Sequence, residues 1–214
     1  MTLIDWIEKL DKILFLVIHR DADYEVLDVL FLLIRNALTW IPLYFFLLFY
    51  ILKYIPKQAL LFVALSFLTF AICDRVSAGF LKPMFERPRP CFDSELQPMI
   101  RNIIECGGLF SFPSSHAANH FGLATFWYLS IYSTTGKKWK WLWAWAFCIG
   151  YAQVYVCKHY PLDIARGAIL GMVTGLLIAK TYETWPNFTR YVKSHILPIK
   201  SMERWSTMPT VFII

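Results

Sequence analysis

The sequence predicts an all-α integral membrane protein, a helical bundle of five to six helices with an amphipathic N-terminal helix. Of the 214 residues, 57% are hydrophobic, whereas roughly 45–50% is usual in soluble domains. The apolar residues are concentrated in stretches that approach or reach the roughly 17–25 residues of a spanning helix. Helices are predicted because a spanning helix satisfies its own backbone polar groups. The predicted spans are 37–54, 59–81, 117–132, 141–157 and 164–182.

The first twenty residues form the predicted amphipathic helix. Leucine and isoleucine recur near the helical period, and charged residues occupy the other faces. This pattern favours a helix in the membrane interface, with a short, partly inserted helix as the alternative. The segment lacks the basic start and the cleavage site of a signal peptide. Residues 26–34 either begin the first span or form a separate short helix.

Charge predicts how the bundle is oriented. The net charge is +6, and lysines cluster after the first, third and fifth spans. These three ends face the cytoplasm by the positive-inside rule, which explains the charge without a nucleic acid partner. We interpret 1–183 as a membrane-embedded domain with its core at 59–182, and 184–214 as a cytoplasmic or interfacial tail. The sequence does not indicate an oligomeric state.

The first of three polar patches follows the second span. This span is predicted to end near Leu81, because three prolines between residues 83 and 90 cannot sustain a helix. The patch carries Lys82, Arg87 and Arg89. Arginine suits phosphate because its planar guanidinium donates two hydrogen bonds at once. A basic collar that contacts anionic lipid headgroups is the alternative.

The second patch, Pro113-Ser114-Ser115-His116, begins the third span. Ser114 or Ser115 is expected to cap the helix, and the free N–H groups of a helix start attract anions. His116 could protonate a leaving oxygen there, or be an ordinary surface histidine. His120 is four residues later, a spacing that can bind zinc. We favour a packing role for His120 because no third ligand is evident.

The third patch pairs His159 with Asp163 between the fourth and fifth spans. A nearby carboxylate fixes the tautomer of a histidine and makes its other nitrogen a better nucleophile. A structural contact at a helix start is the alternative. Cys91 and Cys106 lie in the loop before the third span, on the side that permits disulfides. A bridge would close about 16 residues and contribute on the order of 3 kcal/mol; two free thiols are the alternative.

Taken in order, the patches resemble the three motifs of the type 2 phosphatidic acid phosphatase superfamily. These motifs are Lys-x6-Arg-Pro, Pro-Ser-Gly-His and Ser-Arg-x5-His-x3-Asp, and the resemblance covers about residues 59–182. It implies a lipid phosphatase in which His159 attacks phosphorus, Asp163 orients His159, and His116 acts as acid and then as base. The implied phosphate ligands are Lys82, Arg89, Ser114 and the Ser115 N–H. Neither a metal nor another cofactor is implied.

Two positions depart from the family pattern. Ser115 replaces a glycine, and Gln153 replaces an arginine that is expected to bind phosphate. Losing a charge-assisted hydrogen bond should cost about 1.5–3 kcal/mol unless another group replaces it. Lys158, Arg87 and Arg101 are candidate replacements, and Gln153 could still donate a neutral hydrogen bond.

The resemblance implies an amphiphilic substrate at the bilayer surface. Undecaprenyl pyrophosphate, phosphatidylglycerol phosphate, phosphatidic acid and lipid A all fit. We expect a multi-pass protein of the bacterial inner membrane whose site faces the periplasm or exterior. A lipid-to-lipid phosphotransferase and an inert lipid-binding homologue are the alternatives, the latter because of Gln153.

Overall fold

The computed structural model describes residues 2–20, 25–101 and 103–195. These residues form helices joined by turns and one long loop, so the all-α prediction is confirmed. The described residues hold seven α-helices longer than a single turn, slightly more than the five to six predicted. The helices are α1 (Leu3–Arg20), α2 (Glu25–Arg35), α3 (Ile41–Tyr54), α4 (Ala59–Asp74), α5 (Lys82–Phe85), α6 (Ser115–Thr135), α7 (Trp141–Tyr155) and α8 (Pro161–His195). The predicted tail begins within α8, and its residues from 196 onward lie outside the described part of the chain.

Within the part of the chain that the structure describes, three helical segments are long and apolar enough to cross a membrane, namely Ala37–Tyr54, Pro56–Phe85 and Pro161–Trp185. Five spans were predicted. Helix α7 has 15 residues, about 22 Å at the α-helical rise, and is shorter than a hydrocarbon core of about 30 Å. Helix α6 has 21 residues but carries histidine, asparagine, serine and threonine. Both pack within the bundle, where neighbouring helices cover their polar groups.

Helix α2 is separate from the first span, which resolves the two readings of residues 26–34. The helix after α4 also continues further than predicted. It runs through a π-helical turn, Arg75–Leu81, and through α5 before Glu86 ends it with a positive φ of 47°. The predicted end near Leu81 was therefore wrong. The wider π-helical turn accommodates Pro83, which would disrupt a regular α-helix.

Helices α6 and α8 cross closely at the centre of the bundle because glycine replaces larger side chains at their contact. A Cβ atom on Gly167 would lie 2.4 Å from the Ser114 carbonyl oxygen, and one on Gly171 would lie 2.3 Å from that of Ala118. A Cβ atom on Gly175 would lie 2.4 Å from the Gly122 carbonyl oxygen. This spacing of four residues is the small-residue pattern that lets membrane helices approach. It fixes the starts of both helices, and thus the second and third patches, beside each other.

Helix α1 lies at the same end of the bundle as these starts. Its own side chains Asp11, Phe15 and His19 are buried against the bundle. The His19 Nδ1–H donates to the Tyr155 carbonyl, at 2.7 Å, while Nε2 accepts the Arg101 backbone N–H, at 2.8 Å. Large apolar side chains elsewhere on this helix are exposed, as an interfacial helix requires. These exposed residues are Leu3, Ile4, Trp6, Leu10, Ile13, Leu14 and Val17.

Candidate active site

The turn between α7 and α8 holds the candidate nucleophile. His159 is 2% exposed and Asp163 is completely buried. Asp163 Oδ2 accepts the Tyr160 backbone N–H at 2.9 Å and lies 3.7 Å from His159 Nδ1. The second distance is too long for a hydrogen bond. The carboxylate nevertheless stands on the Nδ1 side of the imidazole, so Nε2 is the nitrogen available to a substrate.

Burial sets the charge of His159. It lowers the pKa of this imidazole to about 4, and nearby Lys82 and Arg89 act in the same direction, while Asp163 opposes them. At neutral pH the imidazole is therefore uncharged. That is the form in which a histidine can act as a nucleophile.

Arg87 is bound to two buried carboxylates. Its Nη1 donates to Asp163 Oδ1 at 2.7 Å, and its Nη2 donates to Asp11 Oδ2 at 2.8 Å. The guanidinium also lies over the Tyr160 ring, 4.1 Å from the centroid. Asp11 Oδ1 accepts the Leu162 backbone N–H at 2.8 Å. Arg87 thus joins α1 to the start of α8, and its charge is already balanced.

The start of α6 is joined directly to the start of α8. Ser114 is the N-cap of α6, since its Oγ accepts the Ala117 backbone N–H at 3.3 Å. The Ser114 N–H donates to the Asp163 carbonyl at 3.0 Å. Ser115 Oγ is buried without a hydrogen-bond partner among the described residues. Backbone and side-chain groups of the second patch therefore lie against the third.

The two histidines of α6 have different surroundings. His116 interacts electrostatically with His159 and Lys82, which places it in the site. His120 Nδ1 lies 2.7 Å from the His116 carbonyl oxygen, and its ring packs edge-on against Trp145. These contacts suit the packing role predicted for His120.

Lys82, Arg89 and Lys158 are cations without a carboxylate partner in the described ranges. Arg89 and Lys158 donate to backbone carbonyl groups of the loop between α5 and α6. Burial, followed by the charges of Arg89 and Arg35, lowers the pKa of Lys158 to about 8. Unpaired, partly buried cations create a region that favours an anion.

The same loop is braced across its base. Pro88 and Phe110 form an isolated antiparallel bridge, and the Arg89 N–H donates to the Leu109 carbonyl at 3.1 Å. Cys91 and Cys106 form a disulfide, with 6.1 Å between their Cα atoms. These links hold Arg89 near the α7–α8 turn.

Gln153 is 1% exposed, and its Nε2 has no hydrogen-bond partner among the residues described. Two of the suggested replacements for the missing arginine are engaged elsewhere. Arg87 is bound as above, and Arg101 donates to the Asp28 carboxylate at 2.9 and 3.0 Å. Lys158 interacts electrostatically with Arg89. Its backbone N–H donates to the Gln153 carbonyl at 3.0 Å, so it also lies beside Gln153.

Sequence reasoning missed Arg35, the last residue of α2. Its Nε is buried without a hydrogen-bond partner in the described part of the chain. The guanidinium interacts electrostatically with Arg89, Lys158 and His116. A lone arginine between two apolar segments was the available signal, because a charge beside the membrane requires a partner or a function.

One end of the bundle therefore gathers the residues that the sequence singled out, together with Arg35. The fixed cations can hold phosphate oxygens. His159 could accept a phosphoryl group, and His116 could transfer a proton. Among the described residues, no group of three or more His, Cys, Asp or Glu side chains is arranged to hold a metal ion. The predicted residues found at this end are His116, His159, Asp163, Lys82, Arg89, Ser114, Ser115 and Lys158.

Comparison with known proteins identifies relatives of this arrangement. The sequence model of one protein family, the PAP2 superfamily, matches residues 58–186. A lipid A 4'-phosphatase of Porphyromonas gingivalis is 30% identical over 182 residues, which cover 83% of this chain and 75% of that protein. A lipid A 4'-phosphatase of Bacteroides thetaiotaomicron is 34% identical over 150 residues, covering 66% and 64% of the two chains.

A solved structure shares the fold. It is the crystal structure of a PAP2-type phosphatidylglycerolphosphate phosphatase from Bacillus subtilis, with a TM-score of 0.65 and 18% identity. The match covers 83% of this chain and 87% of that one. At this identity the likeness concerns the helical architecture alone.

Proposed function

The chain belongs to the PAP2 superfamily and is a membrane lipid phosphatase, and we propose that it removes a phosphate group from lipid A through a phosphohistidine at His159. The observation that carries the mechanism is the uncharged, buried His159, which has Asp163 on its Nδ1 side. It lies near Lys82 and Arg89, two cations without a carboxylate partner among the described residues. The two lipid A 4'-phosphatases among the relatives support lipid A as the first substrate to test.

In the first step, His159 Nε2 attacks phosphorus and the ester P–O bond breaks. Burial lowers the pKa of His116 to about 3 in the free site, and the negative charge of a bound phosphate raises it, so that His116 takes up a proton when substrate binds. The protonated His116 gives this proton to the departing lipid oxygen, so the lipid leaves as an alcohol. Lys82, Arg89 and the N–H groups at the start of α6 hold the remaining phosphate oxygens. Their fixed charges stabilise the transition state without having to reorganise.

In the second step, His116 takes a proton from water, and the resulting hydroxide oxygen bonds to phosphorus. The P–N bond breaks, inorganic phosphate leaves, and His159 is uncharged again. Asp163 stabilises the positive charge that the His159 ring carries while phosphorylated.

The bundle also offers space for the lipid tails. An apolar cavity of about 480 Å³ lies between α3, α4 and α6, with Phe70 and Trp127 in its wall. Phe70 precedes Lys82 by 12 residues, about 18 Å along a helix, which is comparable with the length of an acyl chain. The phosphate of such a lipid would lie at the Lys82 end. The lysines at the opposite end favour a cytoplasmic location for that end, so we place the site on the periplasmic or exterior face.

The proposal is tested by measuring phosphate release from lipid A, phosphatidic acid, phosphatidylglycerol phosphate and undecaprenyl pyrophosphate with purified protein in detergent. We expect release to be fastest from lipid A and to be abolished in His159→Ala. Brief reaction with ³²P-labelled lipid A, quenched in alkali, should leave acid-labile label on the wild-type protein. His120→Ala is the matched control and should retain both label and activity. Activity that survives His159→Ala would contradict the mechanism.

A further inference from the structure

We infer that Arg35 binds the substrate phosphate and supplies the positive charge that Gln153 lacks. The inference rests on the proposed function, because it assigns one more residue to the same phosphate site. Arg35 lies outside residues 58–186, the region that the family model matches. The family pattern therefore does not assign it.

The face of α2 that bears Arg35 is directed at α7. Phe31 packs against Tyr155, with 4.3 Å between ring centroids, and Asp28 accepts the Tyr155 hydroxyl at 2.6 Å. Residues at these spacings share one helix face, so Arg35 is on the same face, one turn beyond Phe31. Helix α7 is the helix that carries Gln153. An arginine from α2 thus approaches the site from the side on which the family arginine is missing.

The positive charges around Arg35 favour the binding of an anion. Its electrostatic neighbours are Arg89, Lys158 and His116, which come from three different segments of the chain. No acidic side chain forms an ion pair with Arg35 within the ranges the structure describes. An arginine in the last turn also stabilises a helix through its dipole, but that effect does not require burial of Nε among other cations. A bound phosphate would neutralise the cluster and satisfy this nitrogen.

Gln153 supplies the hydrogen-bond donor that accompanies the charge of Arg35. Its side chain is buried with Nε2 unpartnered in the described part of the chain, so it remains an available neutral donor on α7. A neutral donor from α7 together with an arginine from α2 provides what one arginine on α7 would provide alone. The charge has moved to another helix while the donor remains in place.

The test moves the positive charge from position 35 to position 153. Phosphate release from the best lipid of the panel is measured for Arg35→Gln, Arg35→Lys, Gln153→Arg and the double variant Arg35→Gln/Gln153→Arg. We expect Arg35→Gln to lower kcat/KM by about 10- to 100-fold, the effect of one charge-assisted hydrogen bond. Arg35→Lys should retain part of the activity. The double variant should recover at least tenfold over Arg35→Gln. Lys140→Gln, which alters an exposed cation at the opposite end of the bundle, should match wild type.

Inhibition by inorganic phosphate gives a second reading that a purely structural role would not change. Its inhibition constant should rise in Arg35→Gln and fall again in the double variant, while the unfolding temperature of the protein in detergent stays constant. Wild-type activity in Arg35→Gln would overturn the inference, and so would a loss that Gln153→Arg fails to restore. Absence of phosphate release by the wild-type protein would instead contradict the proposed function.

Discussion

Replacing Arg87 by glutamine should loosen both α1 and the carboxylate beside His159. The guanidinium donates one hydrogen bond to Asp163 at 2.7 Å and one to Asp11 at 2.8 Å, and both carboxylates are completely hidden from solvent. A charge-assisted hydrogen bond contributes about 1.5–3 kcal/mol, so the two together contribute about 3–6 kcal/mol. Each carboxylate keeps one backbone N–H donor, from Leu162 or Tyr160. We therefore expect a loss near the lower end, about 3 kcal/mol.

The coupling between Arg87 and Asp11 can be measured by a double-mutant cycle. Thermal unfolding in detergent, followed by tryptophan fluorescence, is recorded for Arg87→Gln, Asp11→Asn and the double variant. Arg87→Gln removes the guanidinium that both buried carboxylates contact, and the loss of its charge raises the pKa of Asp11 further above its ordinary value. Asp11→Asn removes one of these charges, so the double variant should be more stable than the sum of the single effects predicts.

Activity is the second measurement on the same proteins. Because Arg87 holds the carboxylate that faces His159 Nδ1, we expect Arg87→Gln to lower kcat more than it changes KM. Lys140→Gln serves as the control, since this cation is exposed at the opposite end of the bundle. An unfolding temperature equal to that of the wild-type protein, or strictly additive effects of the two single changes, would show that Arg87 does not join α1 to the site.

Three further expectations concern packing, pH and metal ions. Gly171→Ala should lower the unfolding temperature and the activity, because the new Cβ would lie 2.3 Å from the Ala118 carbonyl oxygen, whereas Gly79→Ala, with nothing within 4 Å, should leave both unchanged. Lys158 has a pKa lowered to about 8, so it is charged below that pH and loses its proton above it; KM should rise as the pH passes 8, and Lys158→Arg should move this rise to higher pH. Full phosphate release should persist in excess EDTA, and loss of activity on chelation would contradict a mechanism that depends on fixed cations alone.

The sequence allowed the three patches to be located because each is a short motif at a helix end. Ser114 as a cap and Asp163 in the first turn of α8 follow from local rules of helix starts. The contact between Arg87 and Asp163 joins residues 76 positions apart, and no local rule predicts such a pair. Gly167, Gly171 and Gly175 carried a readable signal, since small residues at four-residue spacing predict a close helix crossing.

The extent of helix was harder to predict than its location. Pro83 suggested an end near Leu81, but the π-helical turn Arg75–Leu81 carries the helix through to Phe85. Propensity rules describe regular α-helices, and a π-helical turn depends on how the helix packs against its neighbours. The consequence concerns Lys82, which sits on a helix rather than in a loop and is therefore held more rigidly at the site.

The N-terminal helices change how the charge of the site is understood. From the family motifs alone, the substitution at Gln153 leaves Lys82 and Arg89 as the cations for a phosphate, with Lys158 partly deprotonated near pH 8. A guanidinium stays protonated over the whole physiological range. Arg35 therefore adds to Arg89 a second charge that does not depend on pH, and Asp11 helps to fix Arg87 against the Asp163 carboxylate beside His159. By this inference, α1 and α2, which precede the region that the family model matches, complete a site whose motifs all lie after them.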